Sequence, residues 1–184
     1  MTRFSAVLSH GRGICCRLVV LLALAALGVF MLAGSMFAQD VVPVRNLVSF
    51  SSMIGDPGNG SPGAMARNVI RGYQGPPPPW IILGSITGQL KTSGAITVTV
   101  RGLVLPNKVN PVPFFRAALS CQDPTDSTKG RLFFTRSFPA DTAGNANILD
   151  TIKMPLHCIA PIVLVTSPPV PGNFAGFWFA VTGK

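Results

Sequence analysis

Ala95-Ile96-Thr97-Val98-Thr99-Val100-Arg101-Gly102-Leu103 places Ile96, Val98 and Val100 between Thr97, Thr99 and Arg101. An alternation of period two puts one residue set on each face of a strand. This stretch therefore predicts a strand with one oily and one polar face. Before it stand Trp80 to Lys91, a second strand-forming run, and the turn Thr92-Ser93-Gly94. Together they predict an antiparallel hairpin.

The pattern continues toward the C-terminus as short apolar or alternating runs separated by turn formers. A third strand is expected over Pro113 to Cys121 and a fourth over Arg131 to Phe138. The fifth, Asn145 to Met154, is entered through the turn Asp141-Thr142-Ala143-Gly144. Cys158 to Thr166 has the nearly continuous apolar character of a strand buried on both faces, and Phe174 to Thr182 closes the chain. Seven strands over residues 80–184 fit an all-β, antiparallel, immunoglobulin-like sandwich. A bulged barrel of similar size is the alternative.

Toward the N-terminus the character changes. Val41 to Ile54 can add one strand. Asp56-Pro57-Gly58-Asn59-Gly60-Ser61-Pro62-Gly63 is a cluster of turn formers, and Pro76 to Pro79 is a short stiff polyproline segment. Residues 39–79 thus read as an extended Pro/Gly-rich lead-in, its four prolines a spacer rather than a ligand for a proline-recognition module. Asn59-Gly60-Ser61 matches a glycosylation sequon, which matters only in a eukaryotic secretory route.

Residues 1–38 read as a signal peptide or signal anchor. Arg3, Arg12 and Arg17 precede the apolar stretch Leu18 to Ala38, which contains no charged side chain. That polarity directs the following chain across a membrane. Twenty-one residues suffice to span a bilayer as a helix, which favours an anchor. Gly28, Gly34 and Ser35 and the small residues Ala33-Gly34-Ser35 favour cleavage, and a cut after Ala38 starts the mature chain at Gln39-Asp40. Such a cut leaves the bulky Met36 where a small residue is preferred. Membrane contact is expected only through residues 18–38, and only if the leader is retained. Cys15 and Cys16 precede the apolar stretch and read as leader residues without a role.

Composition limits the function classes. Of 184 residues, 15 are Lys or Arg, six are Asp and none is Glu, and 11% are charged against about 25% in an ordinary domain. This disfavours charge-laced helical bundles, and the apolar content disfavours charge-driven disorder. Residues 39–184 retain twelve basic and six acidic side chains, about +6. The basic residues are scattered singly, so nucleic acid is not the expected partner; an envelope polymer or protein is.

Cys121 and Cys158 are the only cysteines beyond the leader, and an exported pair reads first as a disulfide. The third and sixth strands of an immunoglobulin-like sandwich are antiparallel neighbours in one sheet. The end of one, at Cys121, then lies beside the start of the other, at Cys158. The rival reading makes Cys121, His157 and Cys158 metal ligands, but residues 157 and 158 would project to opposite faces of a strand and no fourth ligand is evident.

Catalytic constellations are sparse. His157 is the only histidine beyond the leader, so a hydrolase would combine Ser120, His157 and an aspartate. The carboxylates are Asp40, Asp56, Asp123, Asp126, Asp141 and Asp150. Asp56, Asp123, Asp126 and Asp141 lie in turn contexts, where an Asp side chain bonds local backbone N–H groups. Asp123 and Asp126 read as turn residues rather than Ca²⁺ ligands, and Gly84-Ser85-Ile86-Thr87-Gly88 lies within a strand rather than a phosphate loop. No catalytic residue, metal or cofactor is expected. Phe114, Phe115, Phe133, Phe134, Phe177 and Trp178 suggest a stacking platform, but adjacent strand residues face opposite ways, so each pair gives the core at most one ring.

Pro79-Trp80, Val100 to Pro106, Asn110 to Ala117 with Ser120-Cys121, Cys158 to Val163 and Trp178 to Gly183 together resemble a group of exported bacterial proteins of unassigned function. The likeness covers about 105 residues and includes both cysteines. It implies a secreted bacterial domain with a disulfide and carries no residue roles. The expected function is a non-catalytic structural or binding module at the cell envelope or outside the cell. A membrane-anchored form of the same domain, or a small hydrolase using His157, is the alternative.

Overall fold

Ile96, Val98 and Val100 are fully buried on one face of a strand, as their alternation with Thr97 and Thr99 requires. A computed structural model describes residues 43–58 and 68–183. The expected leader at 1–38, Asp40 and the sequon at 59–61 lie outside the described residues. Among the described residues there are strands and no helix.

The strands before the first hairpin are β1 (Asn46–Phe50), β2 (Met53–Gly55), β3 (Val69–Ile70), β4 (Tyr73–Gln74) and β5 (Ile81–Ile82). The central part holds β6 (Ile86–Lys91), β7 (Ala95–Val100), β8 (Leu103–Val104), β9 (Phe114–Gln122) and β10 (Gly130–Phe134). The remainder are β11 (Phe138–Pro139), β12 (Ala146–Thr151), β13 (Ile159–Thr166) and β14 (Trp178–Thr182).

Two antiparallel sheets face each other. One has the order β1-β6-β7-β12 and the other β10-β9-β13-β14-β2. Between them lie Ile86, Leu90, Val98 and Ile148 from the first sheet and Phe115, Leu119, Val163 and Phe179 from the second. Trp80 enters this core stacked on Phe179, with ring centroids 4.0 Å apart, and edge-on to Phe115 at 6.2 Å. Such ring pairs add to what burial of their area contributes. The β6–β7 hairpin turns at Thr92-Ser93-Gly94 as expected, with Gly94 N–H donating to the Lys91 carbonyl at 2.9 Å.

Several expectations need correction. The run Trp80 to Lys91 is not one strand: β5 pairs with β8, and the chain bends through Leu83 to Ser85 before β6 starts. The expected fourth strand is interrupted after Phe134, and β11 pairs with the start of β9. More consequentially, the described part of the expected lead-in, residues 43–58 and 68–79, contributes strands to the sheets. Val44–Lys184 is one compact unit, with β1 pairing β6 at the edge of one sheet and β2 pairing β14 at the edge of the other.

The β3–β4 hairpin gives the larger sheet a second buried layer. Its two turn residues, Arg71 (φ 50°) and Gly72 (φ 79°), both adopt the left-handed conformation that a type I′ turn demands. Tyr73 packs with Ala118, Leu164 and Trp178 on the side of the sheet away from the main core. The aromatic pairs therefore divide as strand geometry requires. Phe115 and Phe133 pack with the main core, whereas Phe134 and Trp178 join the second cluster. Phe114 is the exposed member of its pair.

Candidate functional site

Cys121 and Cys158 are joined by a disulfide, with their Cα atoms 5.0 Å apart. Antiparallel pairing of β9 with β13, in which Ile159 faces Gln122, brings them together. The bridge removes both thiolates from any metal-ligand set. A disulfide is compatible with an oxidising extracellular or periplasmic location.

The bond also holds the irregular segment Lys153 to His157 against the end of the larger sheet. Here the surface forms a mostly apolar cleft of about 540 Å³. Phe133 from β10, Pro124 from the β9–β10 turn, and Leu156 and Ile159 supply its apolar wall. Gln122, Arg131 and His157 supply polar groups. Two other concavities, one over Thr87, Gln89, Thr97 and Thr99 and one around Asp141 and Asn145, are more open to solvent.

The start of β13 shapes this cleft. The β9–β13 register shifts between Ile159 and Ile162, and Ala160 within that irregularity has φ 44°. A non-glycine residue in this region is strained, and bulges of this kind re-aim neighbouring side chains. Ile159 is left half exposed and Leu156 is 97% exposed, both lining the cleft.

The hydrolase residues are not brought together. Ser120 is buried, and its Oγ makes no hydrogen bond. It alternates with Leu119 and Cys121, which face the main core, and its carbonyl accepts from the Arg71 guanidinium at 3.0 Å. His157 is exposed and lines the cleft, of which Ser120 forms no part.

Each described carboxylate has local work. Asp123 Oδ1 accepts from Thr125 N–H at 2.8 Å and Oγ1–H at 2.6 Å. Asp126 does the same for Thr128 and adds an ion pair with Lys129 at 3.1 Å. Asp141 Oδ1 accepts from Asn145 N–H at 2.8 Å. These bonds, led by the Thr125 and Thr128 side chains and the Asn145 backbone, hold all three carboxyls below the usual carboxylate value. For Asp150 burial acts upward, but the N–H groups of Arg136 and Thr151 outweigh it and its pKa is lowered.

Asp56 is different. Sequence reading makes it a turn residue that bonds local backbone N–H groups, as its bond from Gly58 N–H shows, and it is also fully buried. Its Oδ1 accepts from Gly58 N–H at 3.0 Å and Asn68 Nδ2 at 2.6 Å, while Oδ2 is buried without a hydrogen bond. Burial raises its pKa against the opposing effect of those two bonds. A second buried polar group, Arg116, donates Nε to the Ser167 carbonyl at 3.0 Å and Nη2 to the Ala175 carbonyl at 2.6 Å. Its guanidinium carbon lies 4.2 Å from the Phe134 ring centroid, and burial lowers its pKa. Tyr73 donates to the same Ala175 carbonyl at 2.6 Å, and burial pushes its hydroxyl up to about 12. Asp56, Tyr73 and Arg116 thus hold the second layer together. The sequence offers no signal for them beyond polar residues in apolar company.

No protein-family profile matches the chain, and neither does any curated protein or solved structure.

Proposed function

We propose that the chain is an exported, non-catalytic binding module of the cell envelope or extracellular space, built on an immunoglobulin-like sandwich. The fold part rests on strand order. The order β6-β7-β12 in one sheet and β9-β13-β14 in the other corresponds to strands A-B-E and C-F-G of an immunoglobulin domain. In this reading β10, the fourth strand, has moved beside the third, and β1 and β2 are additions at two sheet edges.

One observation carries the functional reading: the described acids are committed to turns, Asn68, Asn145 or Arg136, while the cleft beside the disulfide keeps exposed apolar side chains next to Gln122, Arg131 and His157. Such a site suits binding better than acid–base chemistry, which needs a poised carboxylate or histidine within reach of a nucleophile. The export reading draws on the Arg-flanked apolar stretch before residue 39, the disulfide and the resemblance to exported bacterial proteins.

A binding panel of envelope polymers and isolated envelope proteins tests the module. Saturable retention of the full chain on one of them is expected, and retention on none would contradict the reading. N-terminal sequencing of the protein from its native host tests the leader. A start at Gln39 is expected, whereas an intact Met1 would make the same module membrane-anchored.

A further inference from the structure

We propose that the cleft beside Cys121–Cys158 binds a small amphiphile with an apolar body and a single anionic head, such as a medium-chain carboxylate. This rests on the binding-module reading above and names the ligand class of its site.

The cleft's volume of about 540 Å³ lies within the roughly 300–1,000 Å³ usual for small-ligand sites, whose walls are mostly apolar with a few placed polar groups. Leu156 and Ile159 remain exposed at its wall although the fold gains nothing from exposing them. Burial of such side chains by a ligand is favourable because it removes apolar surface from water. The left-handed Ala160 and the register shift after Ile159 keep Ile159 at the cleft. Strain of this kind collects at functional sites. The disulfide fixes the floor, so little ordering opposes binding.

The polar groups decide the head. Gln122, Arg131 and His157 can all donate hydrogen bonds, and no carboxylate lines the cleft. Asp123, adjacent to the cleft, turns its Oδ1 to the Thr125 N–H and hydroxyl, and its carboxyl also feels the Arg131 charge. An anion completes the donor set, and a guanidinium is the side chain best shaped to receive a carboxylate. A cationic head would meet Arg131 and find no carboxylate on the cleft wall.

The test is a titration of the full oxidised chain, followed at the backbone amides by NMR, with decanoate, 1-decanol and decyltrimethylammonium. Decanoate is expected to shift Gln122, Arg131, His157 and Ile159 saturably, more strongly than decanol, and the cation least. Arg131→Gln should weaken decanoate about tenfold or more, toward decanol, because a charge-assisted bond is lost. Leu156→Ser should weaken both. Both residues are exposed, and unchanged Val98 and Ile148 amides verify the fold of each variant. No saturable shift at the cleft, shifts confined to residues elsewhere, or equal affinity for all three heads would overturn the proposal. Envelope retention without cleft shifts would overturn the ligand class alone, whereas loss of both would overturn the binding-module reading as well.

Discussion

Asn68 donates its side-chain amide to Asp56 Oδ1 at 2.6 Å and to the Gly58 carbonyl at 2.9 Å, so Asn68 is tied to the Asp56-Pro57-Gly58 turn. The Asn68 carbonyl in turn accepts from Gly75 N–H at 2.7 Å and from Trp178 Nε1 at 3.2 Å. Asp56 N–H donates to the Phe179 carbonyl at 2.8 Å, and its own carbonyl accepts from Trp80 N–H at 2.7 Å. A segment that reads as a tether is thereby bound to the last strand of the domain.

Asp56→Asn tests this junction. The folded carboxyl titrates above its ordinary value, so its contribution to stability is full below that value and is lost as pH rises through the raised one. Asparagine preserves the acceptor for Gly58 and Asn68 without a charge. Thermal unfolding should show the variant at least as stable as the parent at pH 7, with its relative advantage shrinking as pH falls toward 4. A variant that is destabilised more at pH 7 than at pH 4 would contradict the account.

Removing residues 1–79 tests whether the earlier segment is part of the fold. The truncated chain loses β1 to β4 and exposes Ala118, Leu164 and Trp178 where Tyr73 covered them. That loss is expected to exceed about 5 kcal/mol, comparable to the stability of a whole domain. Limited proteolysis and calorimetry should find no cooperative transition. A cooperative transition within a few degrees of the longer chain would contradict the prediction.

Gly130 is the contact point of the β3–β4 hairpin. Its N–H donates to the Arg71 carbonyl at 2.8 Å, and a Cβ there would come within 3.0 Å of Arg71 Cβ and press on Ser120 Oγ. Gly130→Ala should cost about 1–3 kcal/mol in denaturant unfolding, as overpacking does. A neutral substitution would mean that the hairpin does not sit closely on β9 and β10.

The Cys121–Cys158 bridge spans a sequence separation of 37. On the chain-entropy view, replacing both cysteines by serine should cost about 4 kcal/mol, or roughly 10 °C in Tm. Calorimetry of the double variant, with and without reductant, checks this. The parent should fall to the variant's Tm in reductant, and equal Tm values without reductant would contradict a stabilising bond.

What was legible in the sequence follows physical range. The β6–β7 hairpin could be read because period-two alternation and a Gly turn act over a dozen residues. The cysteine pairing could be read because strand order places Cys121 beside Cys158. By contrast β2 is three residues long and pairs with β14 at the far end of the chain, leaving no local pattern to recognise. Asp56-Pro57-Gly58 has the composition of an exposed turn, and only Asn68, Trp80 and Phe179 make it interior. The cleft has no sequence signature because it combines the β9–β10 turn, β10 and the 155–159 segment, no one of which carries a motif.

The most direct measurement of the central claim is saturable retention of the full oxidised chain on isolated envelopes of its native host, compared with the Arg131→Gln, Leu156→Ser double variant. Retention of the parent and loss of retention by a folded double variant is the predicted result. An unretained parent, or a variant retained equally well, would contradict a binding module that works through the cleft beside Cys121–Cys158.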